Sequence, residues 1–144
     1  MPIIDLNHYS LLKISGSDKE SFLQGQLTCD VDKITDQQSS PGAHCNRKGR
    51  VMSLFRLFRH KDALYMIMPS NVVEQARDNL HKYAVFSKVD LEIQNSPCYG
   101  LLGETNDISL DYPSHINAVV NNEDILVIQV PGNKRYVLIL LHTE

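Results

Sequence analysis

His44 and Cys45 are adjacent in the sequence. Histidine and cysteine are the residue types that supply the base and the nucleophile of cysteine hydrolases. Both residues fall in a segment, residues 43–46, whose pattern predicts a strand, and neighbouring side chains on a strand point to opposite faces. Cys45 is therefore interpreted as a small core residue. The 3 cysteines and 6 histidines show no spacing typical of metal ligands. From these patterns we expect no catalytic residue and no metal site.

Positive charge points to a second kind of chemistry. The chain has a net charge of −3, from 14 Lys and Arg against 17 Asp and Glu. Residues 37–61, here called the basic stripe, nevertheless contain no acid and the basic side chains Arg47, Lys48, Arg50, Arg56, Arg59 and Lys61. Such a stripe is compatible with an anionic partner, either a phosphate backbone or a ligand with carboxylates. The alternative is a solvated hairpin whose charges pair with acids elsewhere in the fold.

The composition is that of a globular protein. A chain of 144 residues forms one domain or two small units, and 42% apolar against 22% charged residues excludes disorder. The longest apolar runs, residues 63–68 and 137–141, are far shorter than the ~20 residues that a membrane helix needs. Residues 1–7 contain no Lys or Arg, so we do not expect a secretory signal. The odd number of cysteines favours a reduced, cytoplasmic compartment.

The elements that must position these residues follow from periodicity. Alternating and apolar runs predict strands over residues 9–15, 43–46, 50–59, 63–68 and 88–94. A capping-box pattern from Ser17 to Glu20 predicts that a helix begins there. Pro69 precedes a second helix, whose apolar residues have helical spacing. The strand over 50–59 is apolar on both faces, which indicates a central strand covered on both sides.

The order of these elements predicts the fold class. With the short strand at 43–46 set aside, the order is β-α-β-β-α-β, which is typical of an α+β split βαβ (ferredoxin-like) sandwich over residues 1–96. The pattern then begins again in residues 97–144, with a strand at 99–102 and a hairpin of 125–130 and 136–141. The pattern of residues 108–120 between them is ambiguous, with a short helix as one interpretation. This second α+β unit lacks its closing helix and strand, so we expect it to be incomplete and the chain to be truncated. The alternative is that a partner or a shortened fold covers the open edge.

Three segments together resemble one known family. They are residues 22–31, which contain Gln24-Gly25-Gln26, residues 43–59, which contain Asn46-Arg47-Lys48-Gly49-Arg50, and residues 82–89, which contain Tyr83-Ala84-Val85-Phe86-Ser87. In this order and spacing they are similar to the N-terminal half of the YgfZ family, a branch of the superfamily of the glycine-cleavage T-protein, an aminomethyltransferase. The resemblance is strong over residues 8–95 and weak over 96–144. The family's Lys-Gly-Cys-x-x-Gly-Gln-Glu motif does not occur here.

The resemblance implies the aminomethyltransferase N-terminal folate-binding fold and tetrahydrofolate or a related folate as ligand. It implies an accessory protein of the bacterial cytoplasm that supports iron–sulfur enzymes and tRNA modification, with an influence on replication initiation. Its partners would be the folate, iron–sulfur enzymes and tRNA-modifying enzymes, with contact to tRNA as a further possibility and no membrane partner.

The resemblance also assigns candidate folate-binding residues. Tyr9 stands where the family places an aromatic residue against the folate, and its ring could stack on a pterin or p-aminobenzoyl group; the alternative is a strand residue that packs on the core. Leu54 stands where aminomethyltransferases carry a carboxylate, and because leucine has no exchangeable proton we expect no transferase reaction. Gln24 is a third candidate, since Gln24 and Gln26 cannot both face one ligand.

Lys48 and Arg50, beside Gly49 at the hairpin turn, are the candidate anion or RNA contacts. They could meet the glutamate tail of a folate or an RNA phosphate, or they could simply belong to a solvated turn. Two further hypotheses therefore stand beside folate binding. One is an active one-carbon transferase, which the leucine at position 54 disfavours. The other is an interaction module that docks tRNA or a protein through the basic stripe.

Overall fold

The computed structural model describes residues 2–103 and 110–141 of the chain. In these ranges the helices are α1 (Lys19–Gln24) and α2 (Ser70–His81), with a 3-10 turn at Val31–Lys33. The strands are β1 (Ile3–Asp5), β2 (Tyr9–Ser15), β3 (Ser40–Cys45), β4 (Val51–His60), β5 (Ala63–Pro69), β6 (Asp90–Gln94), β7 (Cys98–Leu102), β8 (Val119–Asn122), β9 (Ile125–Val130) and β10 (Arg135–Leu140).

The first sheet has the strand order β3-β4-β5-β2-β6, and all its pairs are antiparallel. Without β3, the spatial order β6-β2-β5-β4 is that of the predicted split βαβ unit. Both helices pack on one face, where Phe22 and Leu23 of α1 and Leu80 of α2 join Leu12 and Leu57 of the sheet in one core. The predicted α+β fold is confirmed, with β3 as an added edge strand.

The second sheet has the order β1-β7-β10-β9-β8 and is also antiparallel. It packs face to face on the surface of the first sheet that the helices leave free. Leu11 and Phe58 of the first sheet meet Leu126, Ile128 and Ile139 of the second in this second core. Strand β4 is therefore covered on both faces over its second half, as its two apolar faces predict.

The predicted start of α1 needs a correction. The residue that precedes α1 is Asp18, not Ser17, and Asp18 makes no side-chain cap to the helix. Its carboxylate Oδ2 instead accepts a hydrogen bond of 2.8 Å from the backbone N of Lys88. The predicted capping box is therefore wrong. The Asp18 carboxylate instead connects the start of α1 to Lys88, in the segment that precedes β6.

The second unit also differs in detail from the sequence-based expectation. A short helix within residues 108–120 is wrong for the described residues 110–120, which contain bends and a turn at residues 116–117 before β8. The backbone N–H groups of this stretch donate to other segments instead of within a helix. Asn117 N donates to Gln129 O at 2.7 Å, and Val119 N donates to Gln37 O at 2.9 Å. The first two residues of that expected helix lie outside the described residues.

Strand β1 has no counterpart in the sequence prediction, and it crosses from the start of the chain into the second sheet. Ile3, Ile4 and Asp5 pair with Leu101, Gly100 and Tyr99 of β7. The change of sheet between β6 and β7 falls at the predicted boundary between residues 96 and 97, with β1 as the exception. The division into 1–96 and 97–144 stays a prediction.

Candidate functional site

A pocket of about 430 Å³ opens where the facing surfaces of the two sheets part. Strand β4 contributes Leu54 and Arg56, which are two residues apart and therefore point to the same face of the sheet. Tyr9 begins β2 beside them, and Arg135 and Val137 of β10 form the wall that belongs to the second sheet. The other lining residues are Leu6, Pro41, Phe55, Ile67, Met68 and Pro69. The structure thus brings two of the sequence-predicted residues, Tyr9 and Leu54, into one pocket.

The pairing of strands explains why Tyr9 reaches this pocket. Tyr9 lies opposite Pro69 in the β2–β5 ladder, and Ile67, two residues before Pro69, lies opposite Arg56 in the β4–β5 ladder. These side chains therefore share the face of the first sheet that looks toward the second sheet. Leu54 continues that face beyond the second core and remains 65% exposed.

Arg56 is the charged group most firmly fixed in the pocket wall. Its Nη1 donates hydrogen bonds to Oδ1 of Asn117 at 2.6 Å and to Oγ of Ser39 at 3.2 Å. Burial lowers the pKa of the guanidinium, which nevertheless stays protonated at neutral pH. A guanidinium has five N–H donors, and these contacts use one nitrogen, so donor capacity remains for an anionic ligand.

Gln24 is not brought to this pocket. Its side-chain Oε1 accepts a hydrogen bond of 2.7 Å from the backbone N of Val31, at the start of the 3-10 turn. The amide thus joins the end of α1 to the following turn, and we leave Gln24 out of the proposed ligand site.

Lys48 and Arg50 lie in the exposed turn between β3 and β4, and neither lines the pocket. Asn46 closes this turn, because its Oδ1 accepts hydrogen bonds from the backbone N of Lys48 at 2.9 Å and of Arg50 at 3.0 Å. Gly49 has φ of +78°, a conformation that glycine adopts without strain. The turn presents both cationic side chains to solvent.

The basic stripe does not form one continuous surface. Arg56 points into the pocket wall, whereas Nη1 of Arg59 lies 3.3 Å from Oε1 of Glu20 on the helix side of the sheet. At the far end of β4, Nζ of Lys61 lies 3.0 Å from Oδ1 of Asp124. Three of the six basic side chains thus form hydrogen bonds or ion pairs within the fold. The other three lie in the β3–β4 turn.

His44 and Cys45 do not form a nucleophile and base. His44 is 1% exposed, and its Nε2 lies 3.2 Å from Oε1 of Gln26, while its ring meets the ring of Tyr83 edge-on at a centroid distance of 6.0 Å. Burial lowers the pKa of its imidazole, which favours the neutral form. Its Nδ1 is buried without a hydrogen-bond partner among the described residues.

Sequence reasoning missed the contribution of the second sheet to the pocket. Val137 lies on a strand that the sequence does predict, and Arg135 directly precedes that predicted strand. Nothing in the strand shows that it lies against β2 and β4. Arg56 stands out in the sequence for its charge alone. Its place in the pocket depends on Asn117, which is distant in sequence.

In residues 2–103 and 110–141, no three His, Cys, Asp or Glu side chains lie close enough together to hold a metal ion. No helix in those ranges is both long and apolar enough to cross a membrane.

Comparison with solved structures identifies the fold. The glycine cleavage system aminomethyltransferase T from Bartonella henselae superposes on 96% of this chain with a TM-score of 0.83, and the match covers 41% of that protein. The sequence identity is 16%, so this likeness concerns the fold alone. The predicted aminomethyltransferase-type fold is therefore confirmed.

Comparison with curated sequences identifies the relatives. The tRNA-modifying protein YgfZ of Vibrio atlanticus is 40% identical over 114 residues, which are 77% of this chain and 35% of that protein. YgfZ of Photobacterium profundum is 42% identical over 104 residues, or 72% of this chain and 32% of that protein. An uncharacterized protein of Haemophilus influenzae is 32% identical over 130 residues, or 86% of this chain and 46% of that protein.

No protein-family model matches the chain. It spans about a third of the length of the named relatives. The identities nevertheless confirm the resemblance read from the sequence, and the chain is a homologue of the YgfZ family of tRNA-modifying proteins.

Proposed function

We propose that the pocket between the two sheets binds the aromatic part of a reduced folate. The observation that carries this proposal is the convergence of Tyr9 and Leu54, two positions chosen from sequence, on one pocket that also contains Arg56 and Arg135. Its volume of about 430 Å³ falls within the range of roughly 300–1,000 Å³ usual for small-molecule sites.

The lining suits the parts of a folate. A pterin or p-aminobenzoyl ring is flat and aromatic, and the phenol of Tyr9 offers a stacking surface with a hydroxyl at its edge. The apolar side chains Leu54, Ile67 and Val137 exclude water from such rings. The guanidinium groups of Arg56 and Arg135 complement the carboxylates of the glutamate tail.

The proposal extends to the whole protein as a folate-binding accessory protein in tRNA modification, in keeping with the name of its relatives. Support of iron–sulfur enzymes, an influence on replication initiation and a cytoplasmic location belong to the same proposal. Aminomethyl transfer does not, because Leu54 offers neither a proton nor a charge at the pocket.

Binding of 5-formyltetrahydrofolate, measured by isothermal titration calorimetry, tests this assignment. We expect weak, saturable binding that Tyr9→Ala reduces by about 5- to 10-fold, as the loss of roughly 1–1.4 kcal/mol of aromatic contact requires. Gln24→Ala is the matched control, since that side chain binds Val31 instead, and it should leave the affinity unchanged.

Two results would contradict the proposal. Absence of folate binding in both this chain and a complete YgfZ-family protein would remove folate as the ligand. Equal affinity in the Tyr9→Ala variant and the unmodified chain would remove Tyr9 from the site. Folate-dependent aminomethyl transfer by the chain would instead restore the transferase hypothesis.

A further inference from the structure

The segment that follows α2, residues 82–88, presents apolar side chains to solvent and is called here the aromatic turn. Phe86 is 100% exposed, Val85 71% and Tyr83 41%. Between them Ala84 is buried in the helix-side core, which anchors the turn. Three exposed apolar side chains within four residues form a patch of the kind that marks interaction sites.

The aromatic turn is held by its own backbone bonds. The backbone N of Tyr83 donates to Leu80 O at 3.0 Å, and that of Ser87 donates to Ala84 O at 3.0 Å. At the far end, the backbone N of Lys88 donates to the carboxylate of Asp18. The exposed rings are therefore carried on a fixed backbone and need little ordering when they bind.

The β3–β4 turn lies beside the aromatic turn. The ring of Tyr83 meets the ring of His44 edge-on at 6.0 Å, and His44 stands two residues before Asn46, which closes the β3–β4 turn. Residues 46–50, called here the hairpin tip, therefore follow directly after a strand that Tyr83 of the aromatic turn contacts.

The charged side chains of these two segments all have the same sign. The hairpin tip contains Arg47, Lys48 and Arg50, and the aromatic turn contains Lys82 and Lys88, without an acid in either segment. All five of these residues are exposed. A cationic surface on a chain whose net charge is −3 requires a local reason, and an anionic partner supplies it.

We propose that the aromatic turn and the hairpin tip together bind single-stranded nucleic acid. Cations that follow a phosphate backbone, with aromatic rings on which unpaired bases stack, are the two components of single-strand recognition. The phosphates lie against the hairpin tip, and bases stack on Phe86 and Tyr83. Val85 is the one further exposed apolar side chain of the turn, too small a surface for insertion into a lipid bilayer. This inference goes beyond the folate pocket and does not depend on it.

Fluorescence anisotropy with a labelled oligouridylate at low salt tests the proposal, with the matching oligothymidylate and a folded tRNA as further probes. We expect Phe86→Ala to weaken oligouridylate binding by about 5- to 150-fold, since base stacking contributes roughly 1–3 kcal/mol. Ile116→Ala is the matched control, because Ile116 is also an exposed apolar residue but lies elsewhere. It should leave binding unchanged.

A charge reversal tests the other half of the surface. Lys48→Glu with Arg50→Glu should weaken binding and reduce its dependence on salt, whereas Lys33→Glu, at another exposed cation, should do neither. Heparin, which has charge but no bases, separates the two contributions, because Phe86→Ala should not affect its binding.

Three outcomes would overturn the proposal. The first is no binding of either single-stranded probe at low salt. The second is oligouridylate binding that Phe86→Ala leaves unchanged. The third is binding to vesicles with anionic lipids that Phe86→Ala abolishes while nucleic acid does not bind. Stronger binding of oligouridylate than of oligothymidylate would assign the surface to RNA, and equal binding would assign it to single strands in general.

Discussion

Arg56 and Asn117 join the two sheets at the wall of the pocket, with Nη1 of the arginine 2.6 Å from Oδ1 of the asparagine. Asn117 also accepts a hydrogen bond of 2.7 Å at its backbone O from the backbone N of Ser39. Its φ is +73°, in the left-handed region that asparagine tolerates better than most residues. One residue of the second unit therefore fixes the orientation of a pocket side chain that belongs to the first.

Replacement of Asn117 should measure this connection. Asn117→Ala removes a hydrogen bond to a charged group, worth about 1.5–3 kcal/mol, and adds about 1 kcal/mol because alanine at positive φ is strained. Asn117→Gly removes the same bond without that strain, so it should destabilise the chain less than Asn117→Ala. Urea denaturation measures both changes. A glycine variant as stable as the unmodified chain would show that the Arg56–Asn117 bond contributes nothing to stability.

Leu54 and Leu57 provide a matched pair on β4. Leu57 is 0% exposed in the helix-side core, whereas Leu54 is 65% exposed at the pocket. Leu57→Ala should therefore lower the free energy of unfolding by about 2–5 kcal/mol, and Leu54→Ala by about 0.5 kcal/mol or less. Thermal and urea denaturation give the comparison. Similar losses in the two variants would mean that Leu54 is covered in the folded protein in solution.

The buried imidazole of His44 predicts a dependence of stability on pH. Burial lowers its pKa below the ordinary 6.5, so the unfolded chain takes up the proton more readily than the folded chain. Stability from this group is complete above about pH 6.5 and is lost as the pH falls toward the folded pKa, by at most about 1.4 kcal/mol per pH unit.

Urea denaturation at about pH 7 and about pH 5 tests this dependence. His44→Gln should reduce the loss of stability between the two pH values, and His115→Gln, at an exposed histidine, should leave it unchanged. The lowered pKa values of the Glu20 and Asp124 carboxyls place their own titration below this window. An equal loss in the His44→Gln variant would contradict the assignment.

Gly16 and Gly49 both have positive φ, +111° and +78°, but their surroundings differ. A Cβ at Gly16 would collide with the backbone of Lys88 and Val89, whereas one at Gly49 would meet nothing within 4 Å. Gly49→Ala should cost about 1–2 kcal/mol from backbone strain alone. Gly16→Ala should lower the free energy of unfolding by more, because the backbone of residues 88–89 must also move. The difference between the urea midpoints of the two variants measures the additional loss of stability.

Strong periodicity made much of the fold predictable. Strand β9 occupies residues 125–130 as predicted, and β2 begins at Tyr9 and ends at Ser15 as predicted. These segments bury one or both faces, and burial enforces the pattern that periodicity detects. Strand β1, with three residues, is too short to show a period, and its partner β7 lies far along the chain.

The candidate site was predictable only where one element carried the information. Tyr9 and Leu54 were chosen because the family resemblance assigns their positions, and both line the pocket. The sequence could not show whether Gln24 contacts a ligand. Its side-chain amide instead accepts a hydrogen bond from the backbone N of Val31, and nothing in the sequence indicates that contact. Arg135 depends on how one sheet lies on another, which is a property of packing and not of any single strand.

The pairing of β1 with β7 has a consequence for synthesis on the ribosome. Leu101 and Gly100, to which Ile3 and Ile4 pair, emerge almost a hundred residues after them. At about 5–20 residues per second, this strand waits for roughly 5–20 seconds with its backbone unpaired. During that interval its unpaired backbone N–H and C=O groups are open to other nascent chains, and a factor that shields this segment would improve the yield of folded protein.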